Sequence, residues 1–402
     1  MYQKNIRPSI KNSLCIGSHR VLAALMMLAL APKVACAAPS FQGLGDLPGA
    51  GTFSYARGLS ADGSVVTGYS GSALGVQAFI WTAAGGMVGL GDLPDGSFSS
   101  FGNGISPDGS YVVGQGNSAL GPEAFIWSAG TGMIGLGDLP GGAFLSGAGG
   151  VSADGSVVVG VSESTASGRD EAFYWTSATG MVGLGNLPGG NLESSAFGIS
   201  ADGSVIVGRS SSAQASSGFE AFRWTAISGM MGLGDLPGGV FYSEARAGSA
   251  DGSAVVGKSN SAASSVGDFD EAFLWTAATG MVGLGDLPGG VFNSVALDVS
   301  ATGAVVVGSG VSDLGGQAFI WDPLHGMRAL QNVLTDLGLD LTGWELTVAE
   351  GISDDGLVIT GWGTNPNGDT EAFIARLPEP GTLAVFGLGV TALLRRRRGR
   401  DR

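Results

Sequence analysis

The 402-residue sequence predicts an all-β protein, a seven-bladed β-propeller of four-stranded blades whose ring is closed by the N-terminal strand. Three observations predict it. Glycine supplies 73 residues, a density that penalises helix interiors and that turn-rich sheets use freely. Three motifs each recur seven times, counting two variant copies of one and one variant copy of each of the others, at near-constant spacing. The repeat is also out of phase with the chain, so the first strand met belongs to the last unit.

Gly-Leu-Gly-Asp-Leu-Pro begins at Gly43, Gly89, Gly135, Gly232 and Gly283, with an Asn variant at Gly183 and a degenerate copy at Ala329. The intervals are 46, 46, 48, 49, 51 and 46 residues. Ser-x-Asp-Gly opens at Ser60, Ser106, Ser152, Ser200, Ser249 and Ser353, with a Thr302-Gly303 variant starting at Ser300. Ala-Phe-x-Trp opens at Ala78, Ala124, Ala172, Ala221, Ala272 and Ala318, and the seventh copy, at Ala372, has lost its Trp.

Within one copy, strands are expected to run into Val151, then over 157–160, 171–175 and 181–184. Asp154-Gly155 separates the first two, a strong hairpin signal because both residues tolerate positive φ. The aspartates of this motif therefore read as turn chemistry. The strands are apolar on both faces, as sheets covered on both sides by neighbouring sheets require. A glycine follows the second strand of every unit, at Gly68, Gly114, Gly160, Gly208, Gly257, Gly308 and Gly361, which suggests close backbone approach near a crowded axis. The chain enters with a fourth-strand segment near Phe41 and leaves with a third-strand segment ending near Leu377, so the first strand can complete the last blade. A β-solenoid is the rival architecture, but its coils are shorter and need no such offset. Residues 330–344 interrupt the seventh unit with helix-like apolar spacing.

Outside the repeats, the ends read as addresses. Lys4, Arg7, Lys11 and Arg20 precede an apolar run over 21–31 and the small residues Ala35-Cys36-Ala37-Ala38, the layout of a secretory leader cut after Ala37 by signal peptidase. The alternative, a lipoprotein signal on Cys36, meets Lys33 where an apolar side chain is wanted. Pro378-Glu379-Pro380 is followed by an apolar run over 381–394 and by Arg395, Arg396, Arg397 and Arg398, a cytoplasmic stop. Fourteen helical residues span only about 21 Å, short of the ~30 Å hydrocarbon core. Three regions are expected: a leader over 1–37, a propeller over 38–377 and a tail over 378–402.

This tail resembles the PEP-CTERM sorting signal, which implies recognition by an exosortase-type membrane protease, transient anchoring by the C-terminal helix and release to the cell surface or extracellular matrix. The repeats resemble the extracellular HAF-repeat family over nearly all of residues 41–377. That family is named for a His-Ala-Phe signature, whereas here the residue before Ala-Phe is Gln77, Glu123, Glu171, Glu220, Glu271, Gln317 or Glu371. The resemblance implies a secreted repeat protein and bears on fold and location more than on mechanism.

The body between residues 39 and 378 holds eight Lys and Arg against 32 Asp and Glu, a net charge of −24. Such a body repels phosphate backbones, so nucleic-acid binding is not expected. Cys15 and Cys36 both precede the propeller, leaving it without thiol chemistry. His325, the one histidine of the body, has no local partners for a Ser-His-Asp relay or a zinc site and reads as a solvated loop residue. No catalytic residue is assigned and no cofactor is required. Asp46, Asp92, Asp138, Asp235 and Asp286, equivalent in successive repeats, form a candidate ring that would suit Ca²⁺. The function expected is that of a non-enzymatic exported scaffold binding exopolysaccharide or surface proteins. The alternatives are a secreted glycan-cleaving enzyme with paired carboxylates and a matrix filler.

Overall fold

Each repeat forms one antiparallel sheet of four strands in sequential order, and seven such sheets make up the propeller. The computed structural model describes residues 38–379 except 50, 165–167, 216–217 and 264–269. Ala35, Ala37, Pro380, Arg395, Arg396, Arg397 and Arg398 lie outside the described residues, and Pro378 and Glu379 end them. Among the described residues no helix is long and apolar enough to cross a membrane.

In blade 3 the strands are Ser146–Val151, Val158–Glu163, Asp170–Thr176 and Gly180–Gly183. The second runs three residues beyond its expected end at Gly160, because that glycine lies within the strand rather than closing it. The turn between the first two strands has Gly155 at φ +70°, as an Asp-Gly hairpin requires. Ring closure is as expected. The N-terminal strand Ser40–Gly43 pairs antiparallel with Thr370–Arg376, from Ser40 opposite Arg376 to Gly43 opposite Phe373, and completes the seventh sheet.

The recurrent glycine has a specific cause. The first strand of every blade shifts register by one residue, between Ala56 and Gly58 in blade 1 and at the equivalent place in the others. The bulge pushes a carbonyl against the second strand. A Cβ on Gly208 would lie 2.0 Å from the Ser195 carbonyl oxygen, so no larger residue fits. The close approach is therefore within the blade rather than at the axis.

Packing is between blades. Cores form where one sheet faces the next, and each is centred on a phenylalanine of the Ala-Phe motif; Phe79, Phe125, Phe173, Phe222, Phe273, Phe319 and Phe373 are all fully buried. Each such burial contributes about 1.5–3 kcal/mol. The Gly-Leu-Gly-Asp-Leu-Pro segment is the connection from one blade's outer strand to the next blade's inner strand. Its two leucines fill the interblade core, as Leu136 and Leu139 do between blades 2 and 3.

A buried serine at or near the start of the first strand ties successive blades together. Ser194 Oγ accepts the Ala172 N–H of the preceding blade at 3.0 Å and donates to the Gly185 carbonyl of the connection. Ser54, Ser100, Ser146, Ser243 and Ser294 repeat the arrangement. The irregular segment before blade 7 contains the helix Leu330–Asp336, whose Leu330 and Leu334 are buried four residues apart on one face.

Two substitutions test these constraints by denaturant unfolding. Gly208→Ala is expected to cost about 2–4 kcal/mol, whereas Gly130→Ala, whose new methyl meets nothing within 4 Å, should change stability by less than about 0.5 kcal/mol. Ser194→Ala, which strands the Ala172 N–H in a dry interface, is expected to cost about 1–3 kcal/mol.

Candidate axial binding site

The acidic residues that the sequence singles out are mostly occupied by the backbone. In the Ser-x-Asp-Gly turns, Asp154 Oδ1 accepts the Ser152 hydroxyl at 2.8 Å and the Ser156 N–H at 3.0 Å. Such donors hold Asp62, Asp108, Asp154, Asp202 and Asp251 below the usual carboxylate range. These are turn residues, as read from the sequence. The glutamate before Ala-Phe caps the interblade connection: Glu171 Oε1 accepts the Gly185 N–H at 3.0 Å, and Glu123, Glu271 and Glu371 do the same for Gly137, Gly285 and Gly45.

Asp46, Asp92, Asp138, Asp235 and Asp286 sit one per interblade connection. Asp92 accepts the Leu93 N–H at 2.9 Å and the Ser99 N–H at 2.6 Å, and Asp286 accepts the Asn293 N–H at 2.8 Å. Burial lifts Asp46, Asp138, Asp235 and Asp286 above the usual range, and the neighbouring glutamates add to it. The five are not brought together, and among the described residues no three His, Cys, Asp or Glu side chains are placed to hold one metal ion. His325 is half-exposed but not simply solvated: Nδ1 lies 2.9 Å from Asp322 Oδ1, and Arg328 Nη2 lies 2.5 Å from Asp322 Oδ2. These contacts close a hairpin on the blade's outer strands.

The structure brings together a different set. The seven bulged residues of the inner strands are Arg57, Asn103, Gly149, Phe197, Arg246, Leu297 and Glu350, and all of them line one axial channel of about 580 Å³. Each stands three residues before the serine of its Ser-x-Asp-Gly turn, in a column where the repeat does not repeat. That variability was the signal available in the sequence. Strict strand alternation hides it, because a bulge re-aims one side chain out of the period-two pattern.

Two polar clusters face the channel. On blades 7 and 1, Arg57 Nη1 pairs with Glu350 Oε1 at 2.8 Å, and Trp362 Nε1 donates to the same oxygen at 3.1 Å. Burial raises the Glu350 pKa, with Arg57 and Trp362 opposing. The Arg57 guanidinium lies 5.7 Å from the centre of the Tyr69 ring, which stacks on Tyr55 at 5.0 Å. On blades 4 and 5, Glu244 Oε2 accepts from Arg209 Nη1 at 2.9 Å and from the Tyr242 hydroxyl at 3.1 Å, while Arg246 Nη2 lies 2.5 Å from Oε1. Phe197 sits beside Arg246, 5.0 Å from its guanidinium. Between the clusters, blade 3 offers backbone: Gly147, Gly149 and Gly150, with Asn103 Nδ2 donating to the Ala148 carbonyl at 3.1 Å and Gln115 Nε2 to that of Ser146 at 2.9 Å.

Asp298 also lines the channel, at a position occupied by glycine or alanine in the other blades. Its Oδ2 accepts the Ile352 N–H of blade 7 at 2.8 Å and its Oδ1 the Val299 N–H at 2.8 Å. Burial pushes its carboxyl up to about 7, with Asp354 and Glu350 adding and the two N–H donors opposing. The side chain therefore titrates near neutrality while clamping blade 6 to blade 7.

Taken with the fold, this defines a closed seven-bladed propeller with one asymmetric axial channel. Among solved structures it is similar to oligogalacturonate lyase from Vibrio parahaemolyticus, at 10% identity and a TM-score of 0.48 over 86% of this chain and 98% of that one. It is also similar to the β-propeller domain of the Trilobed protease from Pyrococcus furiosus, at 9% identity and 0.45 over 81% and 94%. TolB from Acinetobacter baumannii follows at 14% identity and 0.42, with 67% of this chain covering 60% of that one. No family model matches the chain, and no curated protein does.

A carboxyl whose pKa is raised on folding stabilises the fold fully below its unfolded value and progressively less as pH climbs to its folded value. Asp298 should therefore weaken the fold between about pH 4 and pH 7. In Asp298→Asn, the loss of melting temperature across that window is expected to be smaller than in the unsubstituted protein; an unchanged slope would show that Asp298 does not titrate there.

Proposed function

We propose that this chain is an exported, non-enzymatic binding scaffold that works at the cell surface or in the extracellular matrix after removal of its tail, with its ligand in the axial channel. Export and processing rest on the leader and on the resemblance to PEP-CTERM and HAF-repeat proteins, which imply signal peptidase and an exosortase-type protease as processing partners. Exopolysaccharide is the ligand class that fits this location.

The observation that carries the reading is the column of bulged residues. The recurring serines, aspartates and glutamates of the motifs perform backbone tasks in blade after blade, whereas Arg57, Asn103, Phe197, Arg246 and Glu350 differ from their equivalents and share one cavity. A volume of about 580 Å³ is within the range of sites for small ligands or chain ends.

A glycan-cleaving enzyme is the second reading, favoured by the presence of Asp298 and Glu350 on the same channel wall. Their engagement argues for binding instead. Both Asp298 oxygens accept backbone N–H groups, and Glu350 is held by Arg57 and Trp362, so neither is placed as an unencumbered acid or base.

Two measurements test the proposal. Intact mass and C-terminal peptide mapping of protein from cells and medium should find an end near Pro378 to Pro380; an intact Arg402 in the exported protein would remove the processing step. Co-sedimentation with exopolysaccharide from the producing cells should fall about tenfold in Phe197→Ala at unchanged melting temperature. Equal retention of both proteins would move the ligand out of the channel.

A further inference from the structure

The charge that the channel presents depends on which member of each ion pair is buried. Of the eight Lys and Arg in the strongly acidic body, four stand in two neighbouring columns around the axis: Arg57 and Arg246 at the bulge, Arg209 and Lys258 on the second strand directly after the recurrent glycine. For the three arginines the carboxylate partner is the more buried member, whereas Lys258 and Asp270 are buried alike, at 19% and 15% exposure. Side-chain exposure is 39% for Arg57 against 11% for Glu350, and 35% for Arg246 and 30% for Arg209 against 1% for Glu244. The carboxylates are held behind and the guanidinium groups face outward.

A buried carboxylate that fixes a partly exposed guanidinium orients it at no cost to its remaining donors, since Arg carries five N–H groups in a rigid fork. Phe197 beside Arg246 and Tyr69 beside Arg57 restrict the same two side chains from another direction. Two oriented cations thus look into a cavity whose wall also carries Phe197, glycine and aliphatic residues, and two carboxylates, Glu350 and Asp298, that are engaged by Arg57 and by backbone N–H groups.

Both ends of the channel carry carboxylates, and one also carries cations. Arg209 and Lys258 are the fifth of six residues in Val205–Ser210 and Ala254–Ser259, toward the end from which the interblade connections enter. At the other end, the Ser-x-Asp-Gly hairpins are linked around the axis by backbone bonds, Ala61 N–H to Pro107 O, Ala153 N–H to Ala201 O and Asp354 N–H to Ala61 O, each 2.8 Å. That rim exposes Asp62, Asp108, Asp154, Asp202, Asp251 and Asp355.

We infer that the channel binds the anionic group of an acidic glycan, a carboxylate or sulfate engaged by the guanidinium groups of Arg57 and Arg246. This deepens the binding-scaffold reading and rests on it. Carboxylate and sulfate offer the same planar or near-planar pair of oxygens to an Arg fork, so the probe chemistry separates them.

The test is isothermal titration calorimetry of the purified full-length protein with three probes: an oligogalacturonate, a sulfated oligosaccharide and a neutral oligoglucose. Binding of at least one acidic probe is expected, weakening as salt rises from about 50 to about 200 mM. Neutral oligoglucose should bind at least about tenfold more weakly. Arg57→Gln and Arg246→Gln should each lower acidic-probe affinity about tenfold. Because these variants also strip a partner from buried Glu350 and Glu244, Arg57→Lys and Arg246→Lys serve as second variants: they keep a positive charge beside each carboxylate, lose the guanidinium fork and should weaken the acidic probe alone. Whichever acidic probe binds identifies the group as carboxylate or sulfate. Equal binding of neutral and acidic probes, insensitive to the Arg variants but lost in Phe197→Ala, overturns the charge selectivity and leaves the scaffold reading intact. Failure of all three probes overturns both.

Discussion

The propeller depends on a hydroxyl group that belongs to two blades at once. Ser194 sits at the head of its strand in blade 4, accepts a backbone N–H from blade 3 and donates to the carbonyl of the connection between them. A sheet packed face to face against another sheet offers apolar contact without direction. Hydrogen bonds through a buried serine add the direction, because the donor and acceptor must both be met or a polar group is stranded in a dry interface. The serine, the N–H of the Ala-Phe motif and the glycine of the connection therefore specify where each blade stands relative to the last. The cost of leaving any of them unpaired is borne at the interface, where the phenylalanine core also sits.

With that lock repeated around the ring, most of the repeat has no freedom. The recurrent glycine must yield its Cβ to a carbonyl, the Asp-Gly turn must supply positive φ, and the glutamate before Ala-Phe must cap a backbone N–H. A carboxylate at that position is a strong acceptor for the N–H it meets. The bulged residue is different. It takes part in no regular pair, so its backbone position is conserved by geometry while its side chain is left to the channel. Variation accumulates where the fold asks least and where a ligand has most access.

Charge is divided in the same way. The carboxylates of the turns are satisfied by hydroxyl and amide donors and remain ionised on one rim, those of the connections are partly buried beside the glutamates that cap them, and those of the ion pairs serve to aim arginines. A net acidic body thus encloses a channel in which the arginines are more exposed than the carboxylates that hold them. Surface charge alone does not foretell this, because the sign presented to solvent depends on which partner of each pair is buried.

The architecture was legible in the chain itself. Repeat spacing set the number of blades, Asp-Gly pairs marked the hairpins, and the offset of the first strand required closure of the ring through Ser40–Gly43, since all of these are local or periodic properties of a chain that must bury both faces of each sheet. The helix Leu330–Asp336 was likewise visible in its four-residue apolar spacing. The site was not, because motifs draw attention to what repeats and the channel is built from what does not. Only the tertiary structure decided that Arg57 meets Glu350 from the opposite end of the chain and that Arg209 meets Glu244 across a blade boundary. Only it turned the bulged column inward. Local sequence determines strands and turns; which side chains converge is determined by ring closure, which brings residues hundreds of positions apart to one axis.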